Sequence, residues 1–319
     1  MTWPSVTIVV TARDRFDYSI PSLESIYQHT TVPFDLVYVA GKFPPSVRAE
    51  LERLSKSKPF TLIQKDHYLM PQSARNIGAR LATGKYVVFI ENDCVVTPGW
   101  LESLLTCAEE TGAAAVSPIV CEGTPLHTIL HFVGGEVSIR VEKEGGVEKR
   151  HLIDKINHQG LKVVDIRPGL KRSETGAFEF HCVLMRRDAV EKAGYFDEGI
   201  LSKELVDFTL MLKKAGEKIY LEPAALVSFM SEPPLGPPLH KDDIPFYELR
   251  WADDLEIASL HRLRDKWQLT EDTFFPNRYQ SPYLMCQGIL GITRAYPAGD
   301  NITAACTINA ESAAVNVPA

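Results

Sequence analysis

The run Gly84-Lys85-Tyr86-Val87-Val88-Phe89-Ile90-Glu91-Asn92-Asp93-Cys94 constrains this chain more than any other stretch. Tyr86 to Ile90 is an unbroken apolar block, rich in β-branched and aromatic residues, which predicts a strand buried on both faces. The block stops abruptly in acid, at Glu91 and Asp93. Two carboxylates at the carboxyl end of a central strand are costly to bury without a counter-charge. That end is also where ligands bind in open α/β sheets. A hard cation together with a phosphate would supply the charge, because oxygen ligands suit Mg²⁺ or Mn²⁺. The pattern alone is equally compatible with Glu91 and Asp93 capping the loop, or the helix that Thr97-Pro98-Gly99-Trp100 starts.

The flanking pattern decides the fold class. Val6 to Val10, Asp35 to Val39 and Phe60 to Ile63 predict three further strands. Between them lie helical patterns: Ile20, Leu23 and Ile26; then Val47, Leu51 and Leu54; then the helix Gln72 to Ala82. Strands alternating with helices imply βαβ units, a mostly parallel sheet, and strand ends gathered at one edge. Trp100 to Thr111 predicts another helix and Ala113 to Val120 another strand. From about Cys121 to Lys171 the pattern degrades into short β-like pieces and charged loops. Phe178 to Met185 then predicts a strand, Glu204 to Ala215 an amphipathic helix, and Lys218 to Leu221 and Ala225 to Phe229 two short strands.

Ser231-Glu232-Pro233-Pro234-Leu235-Gly236-Pro237-Pro238 predicts an extended break. Ile244 to Trp267 beyond it predicts an amphipathic helix, and Ala305 to Ala319 a tail without a core-forming pattern. The expected division is a main domain over 1–232, a proline-rich linker and helical extension over 233–285, and a loosely ordered tail over 286–319. The formal charge of −7 argues against a general nucleic-acid binder, while leaving room for a local basic pocket. The six cysteines lack paired metal spacing, and no run of eighteen apolar residues or basic leader stands out, so a cytoplasmic location is expected.

Taken in order, these residues resemble the nucleotide-diphospho-sugar glycosyltransferases of the GT-A fold, family 2 type. Val6 to Arg15 looks like that family's first strand and nucleotide loop. Ser73-Ala74-Arg75-Asn76-Ile77-Gly78-Ala79 with Ala82-Thr83-Gly84-Lys85-Tyr86 is similar to its "ARN-G-A…A-G-Y" run, and Glu91-Asn92-Asp93 falls at its D-x-D metal motif. Pro98-Gly99-Trp100-Leu101, His131-Phe132-Val133-Gly134-Gly135, Met185-Arg186-Arg187-Asp188-Ala189 and Gly194-Tyr195-Phe196-Asp197-Glu198 follow in family order, and Glu204 to Phe208 stands at an acidic E-D-x-D-L segment. The resemblance covers about residues 5 to 230. It implies an α/β, Rossmann-like fold whose mostly parallel central sheet is flanked by helices, here with a C-terminal helical extension.

The resemblance also implies inverting transfer of a sugar from a nucleotide-diphosphate donor to a glycan, lipid-linked or small-molecule hydroxyl. Peripheral membrane contact and a homo-oligomer would both be compatible with it, and no nucleic-acid partner is expected. Asp93 would hold Mn²⁺ or Mg²⁺ on the diphosphate. Glu91, Thr11, Arg13, Arg75 and Asn76 would contact the donor, the arginines because guanidinium pairs bidentately with phosphate. Arg15 is expected in a surface ion pair. The family's base position is Leu205 here, so Glu204 is the first choice for that role and Asp207 the second. Ala40-Gly41-Lys42 stands where relatives often carry a base-reading Asp, and Phe229-Met230 where many carry a metal-binding His. His181 is expected in an apolar strand, either lining the acceptor site or buried as a core residue. These departures make a catalytically impaired domain that binds a nucleotide, glycan or protein the alternative. A nucleotidyltransferase would need a glycine-rich phosphate loop after the first strand, and Thr11 to Arg15 contains no glycine.

Overall fold

The computed structural model describes residues 3–231 and 235–279. The chain begins β1 (Val6–Thr11), α1 (Ser19–His29), β2 (Asp35–Ala40), α2 (Pro45–Ser55), β3 (Thr61–Gln64), α3 (Pro71–Leu81) and β4 (Tyr86–Glu91). It continues through β5 (Cys94–Val96), α4 (Trp100–Thr111), β6 (Ala115–Glu122), β7 (Ile129–Phe132), β8 (Gly135–Glu144) and β9 (Val147–Ile156). After the single turn α5 (Val163–Ile166) come β10 (Ser173–Glu174), β11 (Cys182–Arg186), α6 (Arg187–Lys192), α7 (Glu204–Lys214) and β12 (Ile219–Phe229). The extension holds α8 (Ile244–Arg250), α9 (Asp253–Trp267) and α10 (Phe274–Tyr279).

The main sheet runs β10-β12-β6-β11-β4-β1-β2-β3, with β5 on β12 and β7 on β6. It is parallel through β4, β1, β2 and β3, and β11 lies antiparallel between β4 and β6. Each face of this sheet is covered. Ile8, Val10, Val88 and Ile90 pack with Leu23, Leu51 and Leu104 on one side. Val9, Val87 and Phe89 pack with Ala79, Phe180 and Phe208 on the other. That double burial is why β1 and β4 are continuously apolar in sequence.

Three expectations change in detail. The strand predicted from Phe178 starts only at Cys182, so Glu179 and His181 sit in the connection before β11. The two short strands after Lys218 are one, β12, with an irregularity between Glu222 and Leu226. Cys94 starts β5, a strand without a sequence expectation, which pairs with β12 through Cys94 and Phe229. The helix from Ile244 is two helices, because Arg250 and Trp251 both turn to Asp14 and the chain restarts at Asp253 with acids in its first turn. Phe246, Leu260, Leu263 and Phe275 bring the extension into the main core. The tail over 286–319 lies outside the described residues.

Candidate active site

The chain places β2 and β3 on one side of β1 and β4 on the other, so the crevice expected at a change of strand order lies between β1 and β4. There Thr11 is register partner to Glu91, and the Asn92 amide donates to Thr11 O at 2.8 Å. Asn92 then fixes the loop after β1. Its Oδ1 accepts from Arg13 N at 2.9 Å, and its Nδ2 donates to Arg15 O at 2.7 Å and Ser19 Oγ at 2.8 Å. The middle residue of the acidic motif is thus what aims Arg13.

Glu91 is the hub. Arg75 Nη2 donates to its Oε1 at 2.8 Å, His181 Nδ1 lies 2.7 Å from its Oε2, and Arg13 Nη1 lies 3.6 Å from Oε2. Burial would push the Glu91 carboxyl up, but His181, Arg13 and Arg75 outweigh it and hold it well below the carboxylate range. Burial, then Arg13, pushes the His181 imidazole well below its ordinary value. His181 is therefore neutral, and the two guanidinium groups keep Glu91 ionised.

A cavity of about 220 Å³ opens on this hub. Arg13, Glu91, His131, Glu179, His181 and Glu204 line one side, and Arg250, Trp251, Glu256 and Arg278 of the extension line the other. Glu204 reaches it because Lys203, just before α7, is left-handed at φ 62°. Lys203 is held there by its Nζ, which donates to Asp154 Oδ2 at 2.8 Å. Arg75 Nη1 donates to Glu204 Oε1 at 3.4 Å, tying the acid back to the hub. Leu205, at the family's usual acid position, also lines the cavity.

The structure thus brings Arg13, Glu91 and Glu204 together. His181 and Leu205 line the same cavity, whereas Arg75, Asn76, Thr11, Asp93, Asp207 and Arg15 lie behind its wall. Arg75 is fully buried between Gln72, Glu91 and Glu204, with its guanidinium carbon 4.2 Å from the Phe180 ring centroid. Asn76 bonds Phe196 N, Phe196 O and Glu198 Oε1 at 2.9, 2.9 and 2.8 Å, fixing the turn before α7. Thr11 is buried in β1. Asp93 is 1% exposed, and Cys94 Sγ donates to its Oδ1 at 3.8 Å. Asp207 accepts from Lys266 Nζ and Trp267 Nε1, each at 2.7 Å, and so docks α9. Arg15 is buried, although it keeps an ion pair with the exposed Asp17 at 3.5 Å; it donates to Pro237 O at 2.7 Å and Pro238 O at 2.8 Å.

Sequence reasoning missed the extension's share of the wall, and it missed one cluster. Ligand atoms of His131, Glu179 and His181 all lie within 4.8 Å of one another. The only sequence signal for that cluster was two histidines and a glutamate near strand ends, in segments without clear periodicity.

The sheet, the crevice and the flanking helices make this a GT-A fold. The chain belongs to glycosyl transferase family 2, whose family model matches residues 7–194. It is 29% identical over 162 residues to the pre-mycofactocin glycosyltransferase of Mycobacterium tuberculosis (strain ATCC 25618 / H37Rv). The match takes in 51% of this chain and 30% of that protein, so the chain spans under a third of that relative's length. Among solved structures, GalNAc-T7 with UDP, GalNAc and Mn²⁺ superposes with a TM-score of 0.53 at 14% identity, over 90% of this chain and 58% of that one. A mannosyltransferase from Pyrobaculum calidifontis in complex with GDP-Man and Mn²⁺ gives 0.50 at 14%, over 89% and 70%. Likeness at this identity speaks for the fold alone.

Proposed function

We propose that this protein moves a sugar from a nucleotide-diphosphate donor to a hydroxyl acceptor, with inversion at the anomeric carbon and with a divalent cation at the diphosphate. One observation carries the reading: Arg13 and Arg250 share a cavity with Glu204 at the carboxyl edge of the sheet, between β1 and β4. Two buried-edge guanidinium groups suit a leaving diphosphate, and a carboxylate in the same cavity suits an acceptor hydroxyl. The relatives whose structures carry UDP or GDP-Man support a nucleotide donor.

The acceptor oxygen attacks the anomeric carbon from the side opposite the diphosphate. Its proton passes to Glu204, the new C–O bond forms as the C–O bond to phosphate breaks, and the nucleoside diphosphate leaves with that electron pair. Arg13 and Arg250 meet the growing phosphate charge. Glu91 holds Arg13 and His181 in place, and Arg75 keeps Glu204 and Glu91 in register from behind. Asp207, already bonded to Lys266 and Trp267, positions α9.

A cation at the diphosphate would neutralise leaving-group charge. The donor set present fits one: a carboxylate and two imidazoles, Glu179, His131 and His181, face the cavity. Asp93 remains the ligand that the acidic motif suggests, and Asp93→Ala separates the two. Cys94, Cys107, Cys121 and Cys182 are buried free thiols, which suits the reducing, cytoplasmic setting that belongs to this proposal. No helix among the described residues is long and apolar enough to cross a membrane.

Glu204→Gln tests the base. It keeps the side chain's shape and its bond from Arg75, so donor affinity should hold while turnover falls about 100-fold or more. Full turnover would remove Glu204 from that role. Leu205 in the wall favours, as second reading, a domain that binds donor or glycan without transfer. Donor binding with no transfer to any acceptor in the wild type would support it.

A further inference from the structure

We propose that this chain binds its divalent cation at His131, Glu179 and His181, and that this site prefers a transition-metal ion such as Mn²⁺, Co²⁺ or Zn²⁺ over Mg²⁺. The inference deepens the donor reading by naming the metal site, and it departs from the acidic motif after β4.

Three features build the site. First, the spacing is right. His131 Nε2 lies 4.0 Å from Glu179 Oε1, and all three ligand atoms fall within 4.8 Å. Ligands bound at about 2.1 Å sit roughly 3 to 3.5 Å apart around an ion, so small side-chain shifts close the set.

Second, each histidine is backed by a carboxylate at its other nitrogen. His131 Nδ1 lies 3.1 Å from Glu122 Oε2, and His181 Nδ1 lies 2.7 Å from Glu91 Oε2. That arrangement leaves each Nε2 as the nitrogen for a metal, which is how carboxylates orient metal-binding imidazoles.

Third, the rings are held. His181 stacks on Phe229 with centroids 3.7 Å apart and planes at 5°. His131 meets both rings edge-on, at 5.1 Å to His181 and 4.9 Å to Phe229. Glu179 is anchored through Oε2, which accepts from Phe180 N at 3.2 Å. Two imidazoles and one carboxylate favour first-row transition ions, whereas Mg²⁺ prefers all-oxygen sets. The open positions face the cavity that holds Arg13 and Glu204.

Arg13 enters the argument as a competitor. Its Nη1 lies 2.7 Å from both ring nitrogens of His181. A cation on Nε2 displaces that guanidinium, which then becomes available to a phosphate. Removing its charge should therefore tighten binding of the metal alone.

The test uses the full chain and Mn²⁺ without donor, followed by electron paramagnetic resonance. It is thus independent of whether sugar transfer occurs: absent Mn²⁺ binding without donor would leave sugar transfer itself standing, and absent transfer would leave this metal site standing. Wild type should bind Mn²⁺ with nitrogen couplings from imidazole in pulsed spectra, and a hundredfold excess of Mg²⁺ should not displace it. His131→Ala and Glu179→Gln should each weaken binding about 10- to 100-fold, Asp93→Ala should leave it unchanged, and Arg13→Gln should tighten it severalfold. The wild-type spectrum needs no variant to fold. Oxygen-only coordination, loss of binding in Asp93→Ala, displacement by Mg²⁺, unchanged affinity in Arg13→Gln, or no Mn²⁺ binding at all would overturn the proposal.

Discussion

Glu256 carries a further acid into the cavity that holds Glu204, from a part of the chain the family pattern does not reach. Burial pushes its carboxyl up to about 7, the neighbouring Ser202 and Arg250 opposing and Glu204 adding to the rise. Between the ordinary carboxylate value and about 7, the folded state holds a proton that the unfolded chain releases. Stability therefore falls as pH rises through that window and stays lowered above it. Glu256→Gln removes the penalty. Its melting temperature should match wild type near pH 5 and exceed it near pH 8, by at most roughly 3 kcal/mol of stability; equal melting curves at both pH values would show that Glu256 is not desolvated. Arg13, Glu91 and Glu204 were legible in sequence because charge at a strand end or helix start has few bland uses. The burial of Asp93 and Asp207 was not, because side-chain direction depended on partners far along the chain, Trp267 among them.

At the scale of elements, alternation of apolar strands and amphipathic helices predicted β1 to β4 and α1 to α4 with little error. It failed where tertiary pairing sets the element. β5 exists because β12 offers it an edge. The β8–β9 hairpin turns on Gly145 and Gly146, whose φ values of 58° and 83° suit a two-residue turn, inside a stretch whose charges hid the pattern. Close helix–sheet contact is testable at Gly78 in α3. A Cβ there would meet Val9 Cγ1 at 2.1 Å. Gly78→Ala should cost about 1–3 kcal/mol in thermal unfolding, and adding Val9→Ala should recover part of it. Additive losses would show that β1 and α3 are not in contact at that point.

Across the whole molecule, the extension behaves as part of the main domain, not as an appendage. Asp14 after β1 accepts from Arg13 Nε at 2.9 Å, Arg250 Nη1 at 2.6 Å and Trp251 Nε1 at 3.2 Å. Ser202 N donates to Ser259 Oγ and Ser259 Oγ donates to Ser202 O, each at 2.9 Å. Phe246 packs on Phe16 and Tyr68, beyond the ends of β1 and β3. Mixed charge along this helix makes docking on the core the favoured expectation, but it conceals which face is buried. Asp14→Ala strands the buried Arg250 and should cost about 3 kcal/mol. Hydrogen exchange should then quicken over residues 244–251 more than over β1 to β4. Uniform quickening would contradict a local anchor.

The central claim is that the cavity between β1, β4 and the extension receives a nucleotide-diphosphate sugar. Calorimetric titration of UDP- and GDP-sugars into wild type, Arg13→Ala and Glu204→Gln tests it without knowledge of the acceptor. We predict that one of these donors binds wild type and Glu204→Gln alike and Arg13→Ala at least tenfold more weakly. Absence of binding by every donor, or binding indifferent to Arg13, would contradict it.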